Sequence, residues 1–419
     1  MTDATEEKFE FDPFSHEIHH DPYPHYKALR DNDPVYFNEQ RGFWLLTKYE
    51  DVFAAFRDFK NFSNIKGVAL EADMGASPYP MVLTMDPPNH TKLRKVVQAA
   101  MLPKHIAATA PYIRAKTREL LRPCLLKGEL DIVADYGCYL PMSVVARMIQ
   151  LPEEDEDKVR LWVDDIVFRE DGVMETTEKV AIAYMSLAGY FEDFVKAKEQ
   201  SYDPEGTDLL TLLLNGKKNG VMTHAEVIGF LILIGVAGNE TTTKLIGNMA
   251  YRLWEYPEQR KLAASDVLDY AIKCVEETMR FDGSSQILGR TLLNDVEIRG
   301  KILKAGDRVG LCAISANRDE DKFEHAETYD ITRNTMGHIG FGAGVHACLG
   351  AALARLEAQI AYEEILNVVP EFDIQVDKLK RTHNPNVRGF THVPTTFKPM
   401  TEAEVDAKFA ALDDQIAAK

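Results

Sequence analysis

At 419 residues with 45% apolar side chains, the chain is long enough to bury a sizeable core, and no Ser/Pro-rich linker, low-complexity tract or internal repeat divides it. Its formal net charge of −18 argues against a nucleic-acid partner, and its acidic, polar start reads as neither a signal peptide nor a membrane anchor. The five cysteines (124, 138, 274, 312 and 348) are scattered and odd in number, and the longest apolar run, 227–238, is shorter than a bilayer span, so a reducing cytoplasm and no membrane are the expectations.

Near the start, His16-Glu17-Ile18-His19-His20 is a literal His-Glu-x-x-His, but Pro13 and Pro22 confine it to a short polar segment. We read residues 1–21 as a solvated arm rather than a zinc helix. Residues 24–30 predict a short helix, 35–37 and 43–47 a hairpin, and 51–57 another helix. A long irregular stretch, 63–88, carries Ile65, Val68, Leu70, Met81, Val82 and Leu83; loops of this length inside a compact body are usually functional.

In Asp86-Pro87-Pro88-Asn89-His90-Thr91-Lys92-Leu93-Arg94 the prolines start a helix that places His90 and Arg94 one turn apart on one face. Taken alone, this is an ordinary solvated face. Eight Lys or Arg between 92 and 122 face one acid, Glu119. Such a basic island on an acidic protein either docks an acidic partner or balances charge internally. Helices over about 158–168 and 176–198 flank the turn Arg169-Glu170-Asp171-Gly172, where Arg169 reads as half of a surface ion pair.

Residues 225–253 predict one long helix whose middle, Gly235-Val236-Ala237-Gly238-Asn239-Glu240-Thr241-Thr242-Thr243, is poor in helix formers and carries an acid expected to be buried. Such a conflict between local propensity and an otherwise strong helix marks functional sites, although a core helix with a paired Glu fits as well. Residues 266–281 are helical, with Glu277 and Arg280 on one face. A strand-rich stretch, 291–309, follows Arg290. In the tail, Val405, Phe409, Leu412 and Ile416 are spaced as an amphipathic helix expected to pack on its own body.

The most informative stretch is Phe341-Gly342-Ala343-Gly344-Val345-His346-Ala347-Cys348-Leu349-Gly350, a glycine-rich loop that delivers one cysteine to the start of a helix, where free N–H groups and the helix dipole favour a thiolate. Residues 342–347 also fit a dinucleotide-binding G-x-G-x-x-A, but the preceding segment makes a poor parallel strand and no βαβ pattern surrounds it. A buried small thiol is the plainer alternative.

All ten positions fit the Phe-Gly-x-Gly-x-His-x-Cys-x-Gly signature, and the chain thereby resembles soluble bacterial cytochromes P450. Further motifs match in family order over about 22–398: Asp86 to Arg94, the Ala-Gly-x-Glu-Thr-Thr of the long helix, Glu277-x-x-Arg280 with Arg333, Arg290, and Ala316-Asn317-Arg318-Asp319. The family's usual proline after Glu-x-x-Arg is replaced here by the Gly283-Ser284-Ser285 region, and Ala326 and Tyr329 stand where Pro and Phe are commoner. The resemblance implies a mainly α fold with a small β-rich part, the haem lying between the long helix and the helix after the cysteine loop. It implies one catalytic domain, 22–398, followed by a helical extension, 399–419.

By the same resemblance, Cys348 is the axial ligand of haem b iron. His90, Arg94, Arg290 and His346 hold its propionates, and Phe341, Gly342 and Ala237 lie against it. Gly238 leaves room for dioxygen, Glu240 and Thr241 deliver protons, and the helix opens locally there, with waters between its turns. The stretch 63–88 and residues 234, 237, 287, 288 and 390–393 would line an apolar pocket under a lid at 169–172. The implied reaction is hydroxylation of an apolar small molecule by O2 in a monomeric enzyme. Electrons would come from a separate ferredoxin or flavodoxin docked on the basic island, with Arg355 extending that face. A peroxide-driven or non-hydroxylating haem-thiolate enzyme, or a haem sensor or carrier without turnover, are the alternatives.

Overall fold

The computed structural model describes residues 10–71 and 77–419. The acidic start and the middle of the 63–88 stretch therefore lie outside the described residues. The architecture is mostly helical with four small sheets. Its axis is the 32-residue helix His224–Glu255, about 48 Å long at the α-helical rise. A reciprocal cap starts it: Glu226 N–H donates to Thr223 Oγ1 at 3.2 Å, and Thr223 N–H donates to Glu226 Oε2 at 2.7 Å. Around it pack Leu140–Ile149, the lid helices Glu153–Val167 and Glu178–Lys198, Val267–Phe281 and Ala351–Val368. The long helix and Ile132–Ile149 are long and apolar enough to cross a membrane, but both are mostly buried inside the body and act as core.

The largest sheet orders its strands Val35–Asn38, Phe43–Leu46, Arg308–Cys312, Ile287–Leu292 and Phe62–Ser63. Phe43–Leu46 pairs parallel with Arg308–Cys312, while the other neighbours are antiparallel. This sheet carries Arg290 from the middle of the chain to the side of Phe56 in the helix Tyr49–Arg57. The run of acids at 153–156 opens the helix Glu153–Val167, where negative charge complements the helix N-terminus.

Two readings of charge and exposure change. In its described part, residues 10–21, the N-terminal segment is not a solvated arm: Phe11, Phe14 and His19 are buried, and the short helix His16–His20 stacks the His16 ring on His383 at 3.7 Å. The proline-bounded segment contains enough apolar area to dock. Much of the basic island is internal charge balance. Arg114 reaches Glu363 and Glu364 at 2.5 and 2.6 Å, Arg118 reaches Glu364 and Asp413, and Arg122 reaches Glu402 and Asp406. The last three acids lie on or beside the C-terminal helix Glu402–Ala418. That helix buries Val405, Phe409 and Leu412 against the body, with the Arg118 guanidinium 4.8 Å over the Phe409 ring.

Candidate functional site

The cysteine loop is built by its glycines. Gly342 and Gly344 both adopt left-handed backbone, at φ +68° and +72°. A Cβ on Gly344 would stand 2.6 Å from Phe56 O, so the loop lies against the helix Tyr49–Arg57 as closely as its backbone allows. The turn returns Cys348 N–H to Phe341 O at 2.9 Å, and the helix Ala351–Val368 starts three residues later. Cys348 is accessible by surface area, yet the surrounding protein desolvates its thiol and raises its pKa, against the Gly350 N–H and the charges of Arg94 and Arg355. An accessible but desolvated side chain faces an interior space rather than bulk water. Arg355 lies 4.3 Å over the Phe341 ring and binds Glu276 at 2.5 Å, so it is held in the body and does not extend an outer basic face.

Beneath the loop is a saturated charge cluster. Arg280 Nε and Nη2 donate to both Glu277 oxygens at 2.8 and 2.7 Å, with both side chains fully buried. Arg280 Nη1 also donates to Asn317 O and Ala326 O, and Arg333 Nε lies 3.5 Å from Glu277. Asn317 Oδ1 in turn accepts the Ile339 N–H at 2.7 Å, which anchors the approach to Phe341.

A second cluster beside Cys348 is unsaturated. The His90 and His346 rings lie 4.2 Å apart, and buried nitrogens on both, Nδ1 and Nε2 respectively, have no partner. Burial lowers both imidazole pKa values, that of His90 to about 4, so both are neutral at pH 7. Arg290 is 3% exposed and donates only to its neighbour Gly289 O; burial, and then the charge of Arg308, hold its pKa down to about 10. Arg94 Nη2 donates to Ala347 O at 2.6 Å. Among the described residues, neither Arg94 nor Arg290 forms an ion pair with a carboxylate. Asp86 sits within 3.9 Å of His346, but Ser63 and the Asn64 N–H already occupy its oxygens. Four nitrogen-rich side chains around one thiol, with only the already engaged Asp86 near them among the described residues, fit a bound group that brings two carboxylates and an atom for sulfur to ligate.

On the long helix the three threonines resolve the conflict in propensity by finding separate partners. Thr241 Oγ1 donates to Ala237 O at 2.8 Å, Thr243 Oγ1 donates to Gly137 O at 2.8 Å, and Thr242 hydrogen-bonds the buried Glu357. The expected local opening is absent: residues 224–255 are helical without interruption, and the irregular turn lies alongside, as a π-helical segment at Ile132–Gly137. A Cβ on Gly238 would come 3.0 Å from Val145 Cγ2, so glycine there lets Leu140–Ile149 pack closely without displacing Val145. Glu240 is buried, with Oε2 3.1 Å from Lys244 Nζ.

Sequence reasoning missed Asp164. This lid-helix carboxyl hydrogen-bonds Glu240 and is pushed up to about 7, by desolvation first and then by Glu240 itself, while Arg160 holds its other side at 3.0 Å. Asp164 therefore keeps a proton up to about neutral pH, in contact with Glu240. No spacing rule links residues 164 and 240, so only the packing of the lid helix on the long helix shows the pair.

The lid turn is held from three sides. Asp171 accepts the His16 N–H at 2.8 Å, Gly172 N–H donates to Phe14 O at 3.0 Å, and Arg41 donates to Gly172 O at 2.9 Å. Arg169 forms an ion pair with Glu71 at 2.8 Å, but a largely buried one rather than the surface pair expected. The apolar lining is narrower than the sequence implies. Ile65 is 56% exposed, Ile287 is packed into a core because adjacent strand residues face opposite ways, and Phe390 and Val393 are packed into the main core. Ala237 and Leu288 remain accessible.

A family model described as Cytochrome P450 matches residues 172–399. The chain is 36% identical over 391 residues to Cytochrome P450 109 of Bacillus spizizenii, covering 90% of this chain and 92% of that protein. It is 34% identical over 397 residues to the vitamin D(3) 25-hydroxylase of Pseudonocardia autotrophica, covering 93% and 96%. The crystal structure of CYP109E1 from Bacillus megaterium in complex with testosterone superposes with a TM-score of 0.84 at 31% identity, over 91% of this chain and 99% of that one. Similarity of this extent, on a fold that brings a cysteine loop and an acid-poor cluster of histidines and arginines together beside a long helix, places the chain in the cytochrome P450 family, as a haem b monooxygenase that uses O2.

Proposed function

We propose that Cys348 is the axial thiolate, that His90, Arg94, Arg290 and His346 hold the two haem carboxylates, and that Phe341, Gly342 and Ala237 lie against the macrocycle. The observation that carries this reading is the absence, among the described residues, of any carboxylate paired with Arg94 or Arg290, beside two buried imidazoles with free nitrogens. When bound, the haem supplies oxygen activation and oxidation of a substrate C–H bond.

The chain's own part is positional and protonic. Asp164 holds a proton against Glu240 at the mid-point of the long helix, and Thr241 Oγ1, which now donates to Ala237 O, delivers it by rotating away from that carbonyl. Gly238 allows the close approach of Leu140–Ile149 that fixes this segment. Electrons come from a separate ferredoxin- or flavodoxin-type protein. The basic residues left for docking are Lys92, Lys95 and Lys104, all exposed and, among the described residues, in no ion pair. The substrate is apolar. Polycyclic, sterol-like compounds are the first class to screen, because one relative hydroxylates vitamin D(3) and a structural neighbour binds testosterone.

The test is aerobic turnover with a surrogate ferredoxin and reductase, on compounds first chosen for their shift of the Soret band to high spin. Hydroxylated product that tracks NADPH consumption supports the reading, and Thr241→Ala should consume NADPH with little product. Equal coupling in wild type and Thr241→Ala would remove Thr241 from proton delivery.

A further inference from the structure

Away from Cys348, a surface cavity of about 580 Å³ opens between the N-terminal segment, the end of the long helix and the loop before Phe390. Four arginines line it: Arg252, Arg318, Arg381 and Arg388. On a chain with a net charge of −18, this concentration requires an account.

The acids nearby are already engaged. The fully buried Asp282 accepts from Tyr23 Oη and from Arg388 Nε at 2.7 Å on one oxygen, and from Arg252 on the other, with Nε at 2.8 Å and Nη2 at 2.7 Å. Glu255 is bound to Arg252 at 2.5 Å, and Glu327 is divided between Arg30 and Arg318, both at 2.8 Å. Asp21 accepts the Tyr23 N–H at 3.4 Å, and at the rim Lys27 pairs with Asp31 and Glu320.

Arg381 is left over. Among the described residues it forms no ion pair, and its buried Nη1 has no hydrogen-bond partner. Arg318, 4% exposed and held between the Tyr23 and Phe281 rings at 3.4 and 3.5 Å, likewise has a buried Nη2 with no partner. Two buried guanidinium N–H groups without acceptors are costly. Burial and the neighbouring arginines depress the pKa of Arg381 to about 10, as expected where positive charge is in excess. The cavity walls beside these donors are aromatic, with Tyr251, Tyr256 and Phe281 among them.

We propose that this cavity binds a small organic anion, an apolar or aromatic body carrying one carboxylate or phosphate, with the anionic end on Arg381 and Arg318 and the body against the tyrosines. The volume lies within the range of small-molecule sites, and a carboxylate or phosphate offers the paired acceptors a guanidinium fork needs. None of the residues assigned to the haem site lines it. Asn248 Nδ2, donating to Asp282 O and Arg388 O at 2.8 and 3.1 Å, joins the cavity floor to the long helix.

The test is calorimetric titration of the haem-loaded protein, with the haem site saturated by 4-phenylimidazole. The probes are 4-phenylbutyrate, phenyl phosphate, inorganic phosphate and the neutral 4-phenylbutan-1-ol. The proposal expects one-to-one binding of at least one organic anion, with no measurable binding of the alcohol. The better of 4-phenylbutyrate and phenyl phosphate identifies the acid. Inorganic phosphate, which lacks a body for the aromatic wall, binds about tenfold more weakly than the better organic anion or not at all. Arg381→Gln weakens binding by about tenfold or more, Arg381→Lys retains part of it, and the exposed rim variant Lys27→Glu weakens it by about threefold. Four results each overturn the proposal: no saturable binding of either organic anion, equal binding of the alcohol, displacement by 4-phenylimidazole, or unchanged affinity in both Arg381→Gln and Lys27→Glu.

Discussion

Two buried charged clusters flank the cysteine loop, and they are built on opposite plans. Below it, Glu277 and Arg280 meet in a two-point ion pair at 0% exposure, with the Asp330 N–H completing the bonds of Glu277 and the carbonyls of Asn317, Ala326 and Thr328 those of Arg280. Beside the thiol, neither Arg94 nor Arg290 pairs with an acid among the described residues, and Asp86, 3.9 Å from His346, is already engaged by Ser63 and the Asn64 N–H. A saturated buried pair holds backbone in place, because loss of either partner strands a charge. An unsaturated set is kept at a cost in the free chain and gains its partners on binding. The comparison separates residues that shape the loop from residues that hold what the loop binds, although both sets are buried arginines and their neighbours.

The largest expected effect tests the saturated side. Arg280→Leu leaves the buried Glu277 carboxylate with the Asp330 N–H at 2.9 Å and the 3.5 Å contact to Arg333, and should cost about 3–5 kcal/mol, read by urea unfolding of the haem-free chain. Arg290→Leu should do the reverse: the haem-free chain keeps or slightly gains stability, while haem is lost to apomyoglobin about tenfold faster, in line with a charge-assisted bond of about 1.5 kcal/mol or more. If Arg290→Leu destabilised the haem-free chain as much as Arg280→Leu does, the two clusters would not differ in kind.

A third group, Asp164 with Glu240, lies between these plans: two acids in contact, each also near one cation. Asp164→Asn should slow product formation by about tenfold or more, at the low end of what a positioned proton donor contributes, with substrate-induced Soret shifts unchanged. A turnover rate equal to wild type would remove Asp164 from the relay.

The last effect is a slope. The folded-state pKa of Asp164, about 7, lies above its ordinary 3.8. Between these values the folded chain holds a proton that the unfolded chain has released, so the stability from this group is present below pH 4 and lost as pH rises towards 7. Compared with Asp164→Asn, wild type should therefore lose stability across that window in denaturant titrations, and parallel curves would contradict the raised value.

The order of the haem-family landmarks was legible in the sequence because the cysteine loop, Glu277-x-x-Arg280 and the Asp86 to Arg94 stretch are local patterns whose chemistry survives without coordinates. The body's helical course was legible for the same reason, and boundaries moved only slightly: 225–253 became His224–Glu255, and 266–281 became Val267–Phe281. What could not be read was decided between distant segments. Asp164 meets Glu240 across the lid packing, Phe11 and Phe14 anchor an arm that looks polar, and Arg114, Arg118 and Arg122 are tied to acids more than 240 residues away. Charge composition located the basic island, but it could not say which cations already had partners. The burial of Phe390 and Val393, three residues apart, is decided by packing of this segment on the main core, which no local pattern in 390–393 shows.

The central claim is that Cys348 supplies the thiolate while the acid-poor cluster holds the group it ligates. The most direct measurement is the spectrum of the dithionite-reduced, CO-bound protein. The account predicts the red-shifted Soret band of thiolate-ligated haem in wild type and its loss in Cys348→His, with haem still bound by His90, Arg94, Arg290 and His346. A wild-type spectrum without that band, or its persistence in Cys348→His, would contradict it.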